Sequence, residues 1–267
     1  MQIDLRGPRE RYQPARLAPP TGYGYVHVAA VVEPPRGRIP LVGDSARREA
    51  LIARLRPLAE ALRSADGVVA VTLYRAVLLP ATGATPPWLG AEGGADADRP
   101  ETPGAFAAVI RGVRFDLALL VTAETVERLP EVMAAPAYRD LIATLSDGAG
   151  EVQEVASRCV RRIDDVDQVR PGGIYIFNHF LAADREAALA IWQQLAGWYA
   201  AETGLDNSIV LEPVAPAPYA FVNHARWDMS LATLARRQFA KATFRTFVLA
   251  NLRAHHVVAM PGLYRLA

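Results

Sequence analysis

The residue types best suited to chemistry lie in the last third of the chain, on two short aromatic runs. The first run, GIYIFNHFLA over 173–182, contains His179, and the second, YAFVNHARW over 219–227, ends with Asn223 and Trp227. A neutral imidazole has a pKa of about 6.5 and can act as a general base. An amide N–H can stabilise a developing oxyanion, and an indole can stack on an aromatic ring. These types predict removal of a proton from an acidic aromatic or enolic carbon.

The elements that position these residues follow from the pattern of apolar residues around them. Both runs predict strands. Asp184 caps a predicted helix over Arg185–Thr203, which Gly204 ends. Further predicted elements are a strand at Ser208–Val214, a helix over about Ser230–Arg253 and a strand at His255–Leu266. The order is therefore strand, helix, strand, strand, helix, strand.

The first half of the chain has the same order of predicted elements. Its strands are Gly24–Val32, Val68–Leu79, Phe115–Ala123 and Glu151–Ile163, and its helices are Ser45–Ser64 and Glu124–Leu145, with a break at Pro136. Two such α+β units in tandem are two ferredoxin-like repeats. Each leaves one sheet face uncovered, so we expect the two faces to pack together as an intramolecular α/β barrel. We divide the chain into an extension (1–22), a first repeat (23–168, with a long loop at 80–112) and a second repeat (169–267) that carries the site.

This arrangement resembles the dimeric α/β-barrel superfamily, in particular its antibiotic-biosynthesis-monooxygenase type. The strand ending Asn223-His224-Ala225-Arg226-Trp227, followed at once by a helix, is similar to the Asn-x-x-x-Trp strand end of anthrone-oxidising members. The resemblance implies that the Asn and the Trp hold an aromatic polyketide substrate in a cavity. It also implies oxygen insertion without metal or flavin, because the carbanion of the substrate reduces oxygen. The first half has neither residue in Phe115–Ala123, so we expect the chemistry in the second half.

Heme-degrading members of the superfamily offer a second resemblance, through Asn178 on the first strand of the repeat and Trp227 on the third. Those members place a histidine ligand for iron on the following helix. Here Ser230–Arg253 contains no histidine. A heme-dependent role therefore requires a different ligand.

Alternation of side chains along a strand predicts which residues share the cavity. Because helices usually pack on compact aliphatic residues, we assign Ile174, Ile176, Ala220 and Val222 to the helix face. The predicted cavity lining is Tyr175, Phe177, His179, Tyr219, Phe221, Asn223 and Trp227. We expect His179 to be the base, Asn223 to hold an oxyanion, Trp227 to stack on the substrate, and Arg226 to stabilise an anion if it turns inward. The substrate-binding residues are then Tyr175, Phe177, Tyr219 and Phe221.

Other interpretations of these residues stay open at this stage. A slip of one residue in strand register would place Asn178, His224 and Arg226 in the cavity instead. His179 and Trp227 could be ordinary core residues, and Asn223 could satisfy a neighbouring loop. A divalent metal or heme could bind His179 and His224 with His255 or His256, although no close ligand spacing supports it.

Composition limits the classes of function. The chain has 267 residues, 51% of them hydrophobic and 21% charged, with 29 Lys and Arg against 28 Asp and Glu. This balance argues against nucleic acid as a partner. Cys159 is the sole cysteine, which excludes an intrachain disulfide, and no apolar run predicts a signal peptide or a membrane span. We expect a cytoplasmic enzyme without cofactor that acts on a small aromatic substrate and O2, with a homodimer left open. A non-catalytic ligand-binding or assembly protein is the rival.

Overall fold

The computed structural model describes residues 4–33, 40–80 and 114–267, and within them the fold is α+β with eight strands. Each predicted strand begins and ends within two residues of an observed one. The strands are β1 (Gly24–Val31), β2 (Val68–Leu78), β3 (Leu117–Ala123), β4 (Glu151–Arg162), β5 (Ile174–Ala182), β6 (Ser208–Pro213), β7 (Phe221–Trp227) and β8 (Val257–Leu266). The α-helices are α1 (Ala46–Arg63), α2 (Leu129–Ala134), α3 (Pro136–Gly148), α4 (Arg185–Thr203), α5 (Leu231–Phe239) and α6 (Ala250–Ala254). The predicted loop at 80–112 lies, beyond Pro80, outside the described residues.

The eight strands form one closed antiparallel barrel in the order β1-β3-β2-β8-β5-β7-β6-β4. The strands of the first half are neighbours in the order β4-β1-β3-β2, and those of the second half follow the same pattern as β8-β5-β7-β6. Two seams join the halves, β2 to β8 and β4 to β6. In the closed barrel, the sheet faces that we expected each repeat to leave uncovered enclose one common interior.

The barrel interior is filled by aromatic side chains from both halves. Tyr25, Tyr74 and Phe115 come from the first half and meet Tyr175, Phe177 and Tyr264 from the second. Tyr264 lies across Gly262, where a Cβ atom would come within 2.7 Å of the tyrosine ring, and donates a hydrogen bond of 2.8 Å to the carbonyl of Phe115. A glycine in this strand therefore lets a large ring fold back over the backbone.

The helices cover the outside of the barrel in two layers of different character. In the first half, α1 and α3 pack aliphatic residues such as Leu51, Leu55 and Leu141 on β1 and β3. In the second half, α4 brings Trp192 and Trp198 to a layer that also contains Phe180 and Phe221. The second layer is built from larger and flatter side chains, and the candidate site lies within it.

The predicted helix over Ser230–Arg253 is not continuous, which corrects the sequence analysis. It consists of α5, a break at 240–241, and a further helical stretch that includes a π-helical turn (Phe244–Leu249) and α6. Thr243 lies just before the π-helical turn, and its Oγ1 is bonded by the Tyr12 hydroxyl at 3.1 Å and by the Trp198 indole at 3.0 Å. The bond from Trp198 ties this stretch to α4, and the bond from Tyr12 ties it to the segment before β1. In the described part of the chain, no helix is both long and apolar enough to cross a membrane.

The segment before β1 crosses the helices of the second half, although it precedes the first half in sequence. Ala15 exchanges hydrogen bonds of 3.0 Å with Gln193 on α4, through the Ala15 N–H and its carbonyl. Gly197 lies under this crossing, because a Cβ there would be 1.8 Å from the Gln13 carbonyl oxygen. We call residues 4–19 the N-terminal strap.

Candidate functional site

A cavity of about 160 Å³ lies between the outer face of β5, β7 and β8 and the helices of the second half. Its walls come from α4, its cover from α5, and its far side from the π-helical turn and α6. The apolar lining includes Ile176, Phe180, Leu195, Leu234, Val248 and Leu263. Cavities lined in this way bind small apolar or aromatic molecules, and this volume corresponds to about one or two rings.

Two carboxamides form the polar floor of this cavity. Asn178 on β5 is paired directly with Asn223 on β7, so the two side chains leave the sheet side by side on the same face. Both line the cavity. Oδ1 of Asn178 is buried and has no hydrogen-bond partner among the described residues. A buried acceptor of this kind is costly unless a ligand or a water supplies a donor.

Trp227 lines the same cavity from the end of β7 and is held rigidly. Its indole N–H donates a hydrogen bond of 2.9 Å to Oγ1 of Thr203 at the end of α4. The ring of Tyr199 lies at 6.2 Å from it, and only 4% of Trp227 is exposed. A ring fixed in this way can hold a flat ligand without first losing rotational freedom.

Some of the lining residues are accessible to solvent. The outward residues Ala259, Pro261 and Leu263 line the cavity and are partly exposed, and Phe239 at the end of α5 is 55% exposed. The short helix α5 covers the cavity, and its buried residue Leu234 packs on the cluster that contains Ile176 and Trp227.

The predicted lining of one shared cavity is wrong, because the structure divides it between two faces of the barrel wall. Tyr175, Phe177, His179 and Tyr219 lie in the barrel interior. Asn223 and Trp227 point outward to the helices, and Phe221 stacks on Phe180 in the helix-facing core at 4.6 Å. Every residue of β7 is buried, whichever face of the strand it lies on. Polar and apolar residues therefore do not alternate along β7, and the sequence pattern does not show which residues face the helices.

A bend before β7 adds to this error. Tyr219 precedes the paired residues of β7 and turns inward, although Phe221, two residues later, turns outward. The alternative register is also divided: Asn178 lines the outer cavity, whereas His224 lies in the barrel interior. Arg226 lies inward, with its guanidinium 5.5 Å from the Tyr175 ring centroid and paired with Asp228 at 2.5 Å. Arg226 therefore does not reach the cavity.

Three histidines lie in the barrel interior among aromatic rings. His27 is 5.2 Å from His179, and His224 stacks on Phe177 at 4.3 Å, in each case between ring centroids. Burial lowers the pKa of His179 and of His224 to about 4, and burial lowers that of His27 well below its usual value. These rings are therefore neutral at pH 7. His179, predicted to be the base, has no access to the outer cavity, and its two ring nitrogens have no hydrogen-bond partner in the described ranges.

The four histidines of the metal alternative do not converge. His255 lies at the end of α6, where its Nε2 is 2.9 Å from the carbonyl oxygen of Asp4, and His256 follows in an exposed turn. Within residues 4–33, 40–80 and 114–267, no group of three or more His, Cys, Asp or Glu side chains is placed to hold a metal ion.

Two residues next to Asn223 were missed by the sequence analysis. Trp192 donates its indole N–H to Asn223 Oδ1 at 2.9 Å, and Ser208 donates its hydroxyl to the same atom at 2.6 Å. Both are buried. No sequence pattern distinguishes them, because Trp192 fits the apolar stripe of α4 and Ser208 is simply the first residue of a strand.

Comparison with known proteins finds similarity in fold alone. No family model matches the chain, and no curated protein does. An "anthrone oxidase-like protein" has a solved structure with a TM-score of 0.57 at 12% identity, covering 92% of this chain and 91% of that chain. A "Putative monooxygenase" from Fusobacterium nucleatum gives a TM-score of 0.54 at 6% identity, covering 91% of each. The chain thus has the fold of the dimeric α/β barrel.

Proposed function

We propose that this protein is an oxygenase that acts on a small aromatic, polyketide-like substrate without a metal or flavin, in bacterial secondary metabolism. The observation that carries the proposal is the convergence of Asn178, Asn223 and Trp227 on one apolar cavity. The likeness to monooxygenase and anthrone oxidase-like folds supports the class of reaction, and the Asn223–Trp227 strand end supports the substrate class. The equal strand orders of the two halves support our inference that the chain is a tandem pair of ferredoxin-like units.

The residues divide the work as follows. Asn223 directs an amide toward the cavity and stabilises the oxyanion of an enolate or phenolate without a charge of its own. Trp227 holds the aromatic ring. The electron-rich carbanion reduces O2, a C–O bond forms, and loss of water converts a CH2 group and O2 into a C=O group and H2O. No His, Asp or Glu occurs among the described lining residues, so the substrate must be acidic enough to lose its proton to water.

Heme, which the heme-degrading resemblance suggests, does not fit this cavity. The described lining has no His, Cys or Met side chain, and its one phenol, Tyr199, accepts a hydrogen bond of 3.3 Å from Gln238. Burial also raises the pKa of Tyr199, which disfavours the phenolate that would ligate iron. A cavity of about 160 Å³ is also small for a porphyrin.

Oxygen uptake with a panel of hydroxylated one-, two- and three-ring ketones and phenols tests the proposal. We expect uptake to fall at least tenfold in Asn223→Ala and in Trp227→Ala, because each removes a group that contacts the substrate. His179→Phe, on the opposite face of the barrel wall, is the matched control and keeps wild-type uptake. The visible spectrum and metal content of the same sample come first. A Soret or flavin band, or stoichiometric metal, would overturn the cofactor-free mechanism.

A second function, carriage of an aromatic ligand without turnover, is favoured by the absence of an acid–base residue from the described lining. It predicts saturable binding of the same ligands, with wild-type protein giving no oxygen uptake on any of them. The two functions share the cavity and differ only in this result.

A further inference from the structure

We infer that Trp192 and Ser208 are positioning residues, which fix the carboxamide of Asn223 so that its N–H group, and not its oxygen, faces the ligand. This inference rests on the proposed site between β7 and the helices. It adds a polarity to that site: the ligand must present an acceptor oxygen to Asn223.

The orientation of the amide is set by Trp192, and Ser208 adds a second bond to the oxygen. An indole N–H can only donate, so the Asn223 atom at 2.9 Å from Trp192 Nε1 must be the acceptor oxygen. The Ser208 hydroxyl lies at 2.6 Å from the same oxygen. A flipped amide would place its NH2 group against the indole N–H and would lose that bond, although the Ser208 hydroxyl, which can accept as well as donate, could still bond it. The geometry thus fixes an assignment that is ambiguous for most Asn side chains.

The NH2 group of Asn223 is therefore directed into the cavity. Nδ2 of Asn223 has no hydrogen bond to any other described residue, while the residue lines the cavity and is 7% exposed. Its neighbour Asn178 has no such fixing partners, and its buried Oδ1 is unpaired in the described structure. The floor therefore presents a fixed donor beside an adaptable amide. A carbonyl or phenolate oxygen on an aromatic ring matches the fixed donor.

The elements explain how three distant residues converge. Ser208 begins β6 and pairs with Ala225 on β7, one strand over from Asn223. Ser208 and Thr203 lie at either side of the turn after α4, so the same turn anchors Asn223 through Ser208 and Trp227 through Thr203. Trp192 reaches down from α4. The two site residues on β7 are thus each held by a hydrogen bond to this α4–β6 region.

The carbonyl stretch of bound 1-indanone tests the inference directly. This two-ring ketone suits the cavity, and its C=O band moves to lower wavenumber when a donor bonds it. In wild-type protein we expect one band below the position in hexane, and in Asn223→Leu a band closer to the hexane position, because only the amide of Asn178 is left to donate. In Trp192→Phe/Ser208→Ala the freed amide occupies both orientations, so two bands and a two- to tenfold weaker affinity are expected. Ser208→Thr with Trp192 intact keeps one band.

The outcomes separate this inference from the proposed function. A single shifted band in the double variant would show that Trp192 and Ser208 do not orient the amide, and would overturn the inference, whereas oxygen uptake by the wild-type protein would still support the proposed function. An unshifted band in wild-type protein would show that Asn223 does not donate to the ligand. If indanone and the whole ketone and phenol panel fail to bind, the site itself is wrong and both proposals fall. Trp192→Phe alone, checked by circular dichroism, replaces the double variant if that one does not fold; it then shows a second band, because the Ser208 hydroxyl can bond either end of the amide.

Discussion

At the scale of single residues, each of the three neutral histidines inside the barrel makes the stability of the protein depend on pH. The folded-state pKa of His179 is lowered to about 4 by burial, whereas an exposed histidine in the unfolded chain titrates at about 6.5. Below pH 6.5 the unfolded chain therefore binds more protons than the folded one. The contribution of neutral His179 to the free energy of unfolding is therefore largest above pH 6.5 and decreases as the pH falls toward 4.

We expect the change from pH 7.5 to pH 5 to remove about 2 kcal/mol of stability through His179 alone. Replacement by Phe, which needs no hydrogen bonds, should abolish that share of the loss. Urea unfolding of wild-type protein and His179→Phe at the two pH values measures it. His255→Gln, outside the barrel, is the control. Equal pH dependence in wild type and His179→Phe would show that His179 can take up a proton in the folded state.

At the scale of elements, the N-terminal strap holds the second helical layer in place. Tyr12 on the strap bonds both Glu202 of α4, at 2.8 Å, and Thr243 just before the π-helical turn. Lys241, in the break after α5, pairs with Glu202 at 2.7 Å. The strap thus fixes the far end of the helix that covers the cavity.

Gly197→Ala tests the strap, since the added Cβ would overlap the Gln13 carbonyl oxygen. We expect the strap to detach or shift at a cost of about 1–3 kcal/mol. Trypsin should then cleave after the exposed Arg11 and Arg16 about tenfold faster or more, because a cost of 1.4 kcal/mol raises the open population tenfold. Ala201→Ser, on the exposed face of α4, is the control. An unchanged cleavage rate would mean that the strap tolerates the methyl group without opening.

Elements were easier to predict than faces, and the reason is physical. Gly24–Val31 and Ile174–Ala182 are apolar runs bounded by turn residues, so the local sequence alone predicts them as strands. Which residues of β7 face the helices depends instead on tertiary packing, because both faces of β7 are buried and Phe221 and Val222 are both apolar. The candidate site residues Asn223 and Trp227 were predicted from a strand-end resemblance. Ser208 and Trp192 could not be predicted, because their contacts with Asn223 exist only after β6, β7 and α4 meet.

The whole molecule differs from two linked domains, because the halves share their central core. Tyr74 of the first half lies 3.3 Å from Nε2 of His224 in the second, and Tyr264 of the second bonds the Phe115 carbonyl of the first. The Tyr219 hydroxyl similarly donates to Gln153 across the β4–β6 seam, at 2.5 Å. Separation of the halves would expose the interior aromatic side chains of both halves to solvent.

Because the core is shared, we predict that a destabilising substitution in one half lowers the unfolding midpoint of both halves equally. With Trp88 replaced by Phe, fluorescence reports Trp192, Trp198 and Trp227, which all lie in the second half. Leu119→Ala, in the buried first-half layer, should cost about 2–5 kcal/mol. It should lower the fluorescence midpoint as much as the midpoint from circular dichroism, as Leu189→Ala in the second half does. A fluorescence midpoint that stays at the wild-type value for Leu119→Ala would show that the barrel opens at its seams, and that the second repeat holds its cavity without the first.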